Sequence, residues 1–145
     1  MKTLTFILIT LFIPAVVLSQ GIQQSHIEAN LPETFEEFQM ILERDLKSYF
    51  SEKFGSAVIV KYDLLRRAAT QSGVAYPKFY VWISIHNSEI IIDSGAVRVA
   101  AIEKVRIEVT DFVSQKEILK NPKSIESIFP RALCGNIRNR AGVTE

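Results

Sequence analysis

Two hydrophobic periods divide the chain. From residue 35 to residue 50 the apolar positions fall three and four apart, at Phe35, Phe38, Leu42, Leu46, Tyr49 and Phe50, while Glu36, Glu43, Arg44, Lys47 and Lys53 take the other sides. That spacing winds one apolar stripe along an α-helix. Two residues compete to cap its start: Asn30, ahead of Pro32 and Glu33, or Thr34 with Glu37 three residues on. In the second arrangement hydroxyl and carboxylate satisfy free backbone amides reciprocally. Gly55 is placed to end the helix in the left-handed conformation.

Beyond Gly55 the period shortens to two. Residues 57–67 open with Val58, Ile59 and Val60 and alternate through Tyr62 and Leu64, a strand pattern, and residues 68–75 read as a turn. The clearest strand is 76–86, with Phe79, Val81, Ile83 and Ile85 on one side and Lys78, Tyr80, Trp82, Ser84 and His86 on the other. Asn87 and Ser88 make a tight connection to Ile90, Ile91 and Ile92, and Asp93, Ser94 and Gly95 read as another turn. In the long run that follows, Val97, Val99, Ala101, Val105, Ile107 and Val109 share a face. Glu103 interrupts that face, which predicts a bulge or bend there.

Helical signals return near the C-terminus. Ser114 with Glu117 forms a second capping pattern, opening a short helix through Leu119. Asn121 and Pro122 supply a stop and a new start, followed by an apolar stripe of Ile125, Ile128, Phe129 and Leu133, in which Pro130 must end, kink or restart the helix.

These elements specify an α+β domain: a long N-terminal helix packed on a curved antiparallel sheet of three or four strands, with short C-terminal helices. The connections are too short for the crossovers that parallel strands need. The order of elements resembles cystatin-like folds and, more loosely, the cone-shaped folds related to nuclear transport factor 2. Cystatin inhibitors carry a Gln-x-Val-x-Gly hairpin. The nearest counterpart here, Gln71-Ser72-Gly73-Val74, departs from it, so the resemblance implies architecture and adds little to a reading of protease inhibition.

Residues 1–19 have the three-part layout of a secretory signal peptide: Lys2, an apolar run over residues 4–18, then Ser19 with Val17 two positions before it. Cleavage is expected between Ser19 and Gln20. The run is shorter than the about 20 apolar residues that a bilayer core needs, and Pro14 interrupts it. The expectation is an exported protein, periplasmic or secreted, with no stable membrane insertion after cleavage. Polar residues 20–30 read as a flexible leader and residues 31–145 as a single domain, too short to divide.

Charge and cysteine content narrow the partners. Without Lys2 the remaining 16 basic residues balance 16 acidic ones, which argues against nucleic acid or an anionic membrane as partner. A mildly basic C-terminal stretch (Lys116, Lys120, Lys123, Arg131, Arg138, Arg140) reads as a solvated face or frayed tail. The single cysteine, Cys134, cannot build a disulfide framework and, beside Ala132 and Leu133, reads as a small buried apolar group.

The chain shows neither a Gly-x-Ser-x-Gly elbow nor a phosphate-binding glycine loop, and no cofactor is implied. The two histidines, His26 and His86, are placed too poorly for a metal site. Candidate acid–base chemistry rests on His86 with Glu89 and Asp93 around a tight turn, and on Glu103, whose carboxyl would be desolvated inside an apolar strand face. Candidate binding chemistry rests on Tyr76, Tyr80, Trp82 and His86, which alternate onto one face of the 76–86 strand with Tyr62 alongside, and on Gln71 in the adjoining loop. If the C-terminal helices cap that face, the same aromatics are core.

Two function classes follow. The first is an exported small binding protein of inhibitor, immunity or accessory type, recognising a protein or peptide through the aromatic face or the loop at 70–75. The alternative is a small hydrolase or isomerase with a pocket between helix and sheet. A structural envelope component, which predicts a stable oligomer, is a third reading.

Overall fold

The computed structural model describes residues 27–70 and 75–143. Helix α1 (Phe35–Phe54) begins at Thr34: its Oγ1 accepts the Glu37 N–H at 3.1 Å and the Glu37 carboxylate accepts the Thr34 N–H at 3.3 Å. It ends at Gly55, with φ at 67°. Asn30, the other candidate cap, does something else. Residues 27–30 are helical and Asn30 is only 4% exposed. Its Oδ1 accepts the Glu103 N–H at 2.9 Å, and its carbonyl accepts the Lys104 N–H at 3.0 Å. The end of the polar 20–30 segment is thereby fastened to the sheet.

Four strands follow: β1 (Ile59–Leu64), β2 (Lys78–Asn87), β3 (Ile90–Ile102) and β4 (Arg106–Ser114). They form an open antiparallel meander in which each pairs with the next, in the order β1-β2-β3-β4. The turn after β2 places Ser88 at φ 56°, and the turn after β3 places Glu103 and Lys104 at φ 51° and 63°. Two bulges adjust the register. Ile85 pairs with Asp93 and His86 with Ile91, leaving Ile92 extra; Arg98 pairs with Asp111 and Val99 with Val109, leaving Thr110 extra.

One expectation is corrected here. Residues 93–95 are not a turn but part of β3, and Gly95 is needed for close approach: a Cβ there would meet the backbone of Val113 and the Phe112 ring. The bend expected near Glu103 is present as the β3–β4 turn, and it puts Glu103 at the exposed hairpin tip instead of inside an apolar face.

The pleat sends alternate side chains to opposite faces, and each face has its own core. Against α1 pack Phe79, Val81, Ile83, Ile85, Val97, Val99, Ala101 and Ile107, met by Phe38, Leu42, Leu46 and Phe50. The Phe38 and Phe79 rings lie 4.4 Å apart, centroid to centroid. On the outer face Tyr80, Ala96 and Val113 are covered by Ile118, Ile125, Phe129, Cys134, Ile137 and Ala141.

That outer cover is the C-terminal segment. Helix α2 (Gln115–Lys120) is capped by Ser114, whose Oγ accepts the Glu117 N–H at 3.2 Å. Residues 122–129 form successive turns instead of the predicted helix, starting where Asn121 Oδ1 accepts the Lys123 N–H at 3.2 Å. An Asn side chain that bonds the nearby backbone offers it an alternative to helix. Pro130 then opens helix α3 (Arg131–Ala141). Most of the basic residues at this end are exposed, the solvated face expected, and two of them tie the segment to its surroundings. Arg140 meets Asp63 of β1 at 3.0 Å, and Arg138 pairs with Glu126 and donates to the Pro122 carbonyl. Arg98 reaches from β3 to both Asp111, at 2.7 Å, and the Ile128 carbonyl, at 3.2 Å. Cys134 is 3% exposed, with its thiol near the Phe129 and Pro130 carbonyls, and burial raises its pKa.

Candidate functional site

The acid–base candidates are held apart by the register. Asp93 pairs with Ile85 and so shares the α1 side of the sheet, whereas His86, one residue on, belongs to the outer face. His86 Nε2 lies 3.1 Å from Ser84 Oγ, and Asp93 Oδ1 accepts the Ser94 N–H at 2.8 Å. Glu89 is exposed in the β2–β3 turn. Glu103 sits at the far end of β3 from His86, roughly 35 Å away at the usual rise per strand residue. Glu103 thus loses the desolvated setting that motivated it. Among the described residues no cluster of His, Cys, Asp or Glu is arranged to hold a metal ion, and no helix is long and apolar enough to cross a membrane.

The aromatic stripe is largely absorbed into packing. Tyr80 is 5% exposed; its hydroxyl lies 2.6 Å from Thr70 Oγ1 and its ring 6.0 Å from that of Phe129. It is a core residue because the C-terminal segment covers this face, which corrects the open-face expectation at this position. Trp82 is half-buried against the same cover, and His86 is half-buried beyond it. Tyr76 is 40% exposed. Gln71, with Ser72, Gly73 and Val74, lies outside the described residues, as do residues 1–19 and His26.

A concavity forms instead beside the Thr70 loop, on the α1 side. It has a volume of about 260 Å³ and is lined by Leu31, Pro32, Glu33, Thr34, Phe35, Phe38, Arg67, Ala68, Ala69 and Phe79. Its floor is made where Phe38 packs on Phe79, and one wall is Phe35, 46% exposed and stacked on Phe38 at 6.1 Å. The opposite wall is the chain leaving β1, held by reciprocal backbone bonds between Thr70 and Lys78 at 2.8 Å. An apolar floor with an exposed aromatic, and with both a cation, Arg67, and a carboxylate, Glu33, in the lining, suits an apolar side chain of a partner flanked by polar groups.

Leu31, Phe35, Arg67 and Ala69 do not figure among the sequence-derived binding candidates. The available signal was the width of the helix stripe. Phe38, Leu42, Leu46 and Phe50, each four apart, are enough to cover the sheet, which leaves Phe35 and Tyr49 over at the flanks. The other concavities are more polar. One lies among Glu126, Arg131, Cys134 and Arg138, and another runs along α1 and β4 past Asp45, Glu52, Arg106 and Glu108. Compared with models of protein families, with curated proteins and with solved structures, the chain finds no match.

Proposed function

We propose that the chain is an exported small binding protein of cystatin-like architecture, of inhibitor, immunity or accessory type. It captures a protein or peptide segment at the groove between the start of α1 and the 67–70 segment, with the adjoining loop as a second contact. The observation that carries this reading is Phe35. A large aromatic, 46% exposed, flanks an apolar floor already held in shape by Phe38 and Phe79. Little reorganisation is then needed on binding, which favours affinity. Of the aromatics first considered, Tyr76 retains the exposure this role requires.

Site-specific photo-crosslinking tests the proposal. A benzophenone side chain replacing Phe35 should trap one protein in the cells of origin, and the same group at exposed Glu108 should not. Arg67→Glu should abolish the adduct while the chain stays folded. Equal trapping from both positions, or none from residue 35, overturns the reading. Mass spectrometry of the released chain tests the export step, with an N-terminus at Gln20 as the expected result.

A further inference from the structure

The two edges of the sheet are finished differently. At β4 the helix reaches over: Asp45 Oδ2 accepts the Ile107 N–H at 2.7 Å, and Arg44 donates to the Val105 carbonyl at 2.7 Å. Occupying the backbone groups of an edge is one way in which proteins prevent strand addition. At β1 no strand lies beyond the edge among the described residues. Leu65 donates its N–H to the Tyr80 carbonyl at 2.9 Å. Alternation along the antiparallel ladder then turns the N–H and C=O groups of Val60, Tyr62 and Leu64 away from β2.

We propose that this edge pairs with the same edge of a second copy of the chain, antiparallel, with the two-fold axis at Tyr62. The inference is independent of the groove at Phe35, which lies on other residues. Its basis is that β1 complements itself when reversed. On the outer face the strand and the residue that follows it read Ile59, Lys61, Asp63, Leu65: apolar, basic, acidic, apolar. In the Tyr62-centred register, Lys61 faces Asp63 of the second copy and Asp63 faces its Lys61, while Ile59 and Leu65 face each other on either side. On the inner face Val60 meets Leu64, and Tyr62 meets Tyr62.

The backbone agrees with that register. The outward groups of Val60, Tyr62 and Leu64 fall opposite outward groups of the other copy, and the Lys61–Asp63 pairs take the non-hydrogen-bonded positions, where side chains stand closest. Registers centred on Lys61 or on Asp63 set like charges opposite and are disfavoured. Ile59, 53% exposed in the single chain, gains cover. Asp63 meets Arg140 but keeps 69% of its side chain exposed, so it remains available to a second cation.

Sedimentation equilibrium of the C-terminally tagged full chain, processed by its host, tests the proposal. The expected result is a monomer–dimer equilibrium that Lys61→Glu weakens on the order of tenfold, equivalent to about 1.4 kcal/mol, and that Lys61→Glu with Asp63→Lys restores. Thermal melts of each variant separate loss of pairing from loss of folding. Register is read independently by oxidation in a Cys134→Ala background: a mixture of Lys61→Cys and Asp63→Cys chains should cross-link, whereas either alone should not. A chain that stays monomeric, whether its edge is empty or takes another protein's strand, overturns the proposal. A dimer indifferent to Lys61→Glu, or cross-linking of Lys61→Cys alone as readily as the mixture, overturns it as well.

Discussion

Gly95 lies so close to Val113 that a Cβ at residue 95 would overlap the Val113 carbonyl oxygen, with the Phe112 ring at 2.7 Å and Ser114 Cα at 2.9 Å. Most of the obstruction is backbone, so no rotamer change relieves it, and the two central strands are packed on both faces. Gly95→Ala is expected to lower stability by about 1–3 kcal/mol, the range for overpacked interiors. Urea denaturation checks this through a lower midpoint at an unchanged slope. A midpoint equal to the parent's would show that β3 and β4 separate without cost.

The capping exchange between Thr34 and Glu37 closes the N-terminus of α1 at the Phe35 groove, which Thr34 itself lines. Thr34→Ala should cost about 1 kcal/mol. Thr34→Ser should retain most of the stability, because it keeps the accepting oxygen. Equilibrium denaturation of the two variants makes the comparison, and equal losses from both would assign the effect to the methyl group.

Arg98 binds Asp111 within the sheet and the Ile128 carbonyl in the covering segment. A lysine keeps the charge but lacks the planar fork that serves two partners at once. Arg98→Lys should therefore raise amide hydrogen exchange in residues 122–129 while leaving α1 protected as before. Uniformly faster exchange would mean that the arginine supports the whole fold rather than the docking of this segment.

Alkaline pH should destabilise the protein through two groups. Burial raises the pKa of the Cys134 thiol above its ordinary 9.0, and burial, together with Glu43 nearby, raises that of the Tyr62 phenol above 10.0. Both are neutral when protonated. Between the unfolded and folded values the folded chain holds more protons, so stability is complete below the unfolded values and declines as pH rises through the folded ones. Denaturation midpoints measured from pH 8 to 11, as an order-of-magnitude window around these values, should fall, and less steeply in Cys134→Ala. An unchanged slope in that variant would remove the thiol from the account.

What the sequence made legible was local. The stripe and caps of α1 depend on residues within a few positions of one another; Gly55 marks its end as predicted, and of the two candidate caps Thr34 marks its start. The β3–β4 hairpin was hidden by parity. Ala101 pairs with Ile107 and Val99 with Val109, so the apolar alternation keeps its phase through the turn, interrupted only at Glu103, and reads as one long bent strand. Residues 93–95 have turn chemistry, but the partner that requires glycine at residue 95 arrives from nearly twenty positions later. Whether Tyr80 faced solvent depended on Ile125, Phe129 and Cys134, none of which is near it in sequence. The groove at Phe35 was obscured for the same reason, since its opposite wall comes from residues 67–69.

The sheet receives its two covers from opposite sides of the strands in sequence, so its two cores do not become available together. Helix α1 precedes every strand, and the buried inner core is complete in sequence at Ile107 of β4. The outer face, with Tyr80, Ala96 and Val113, waits for residues 118–141. In a chain delivered N-terminus first, from ribosome or translocon, a half-finished, adhesive surface stands open between the two closures, the kind of partly packed intermediate prone to aggregate.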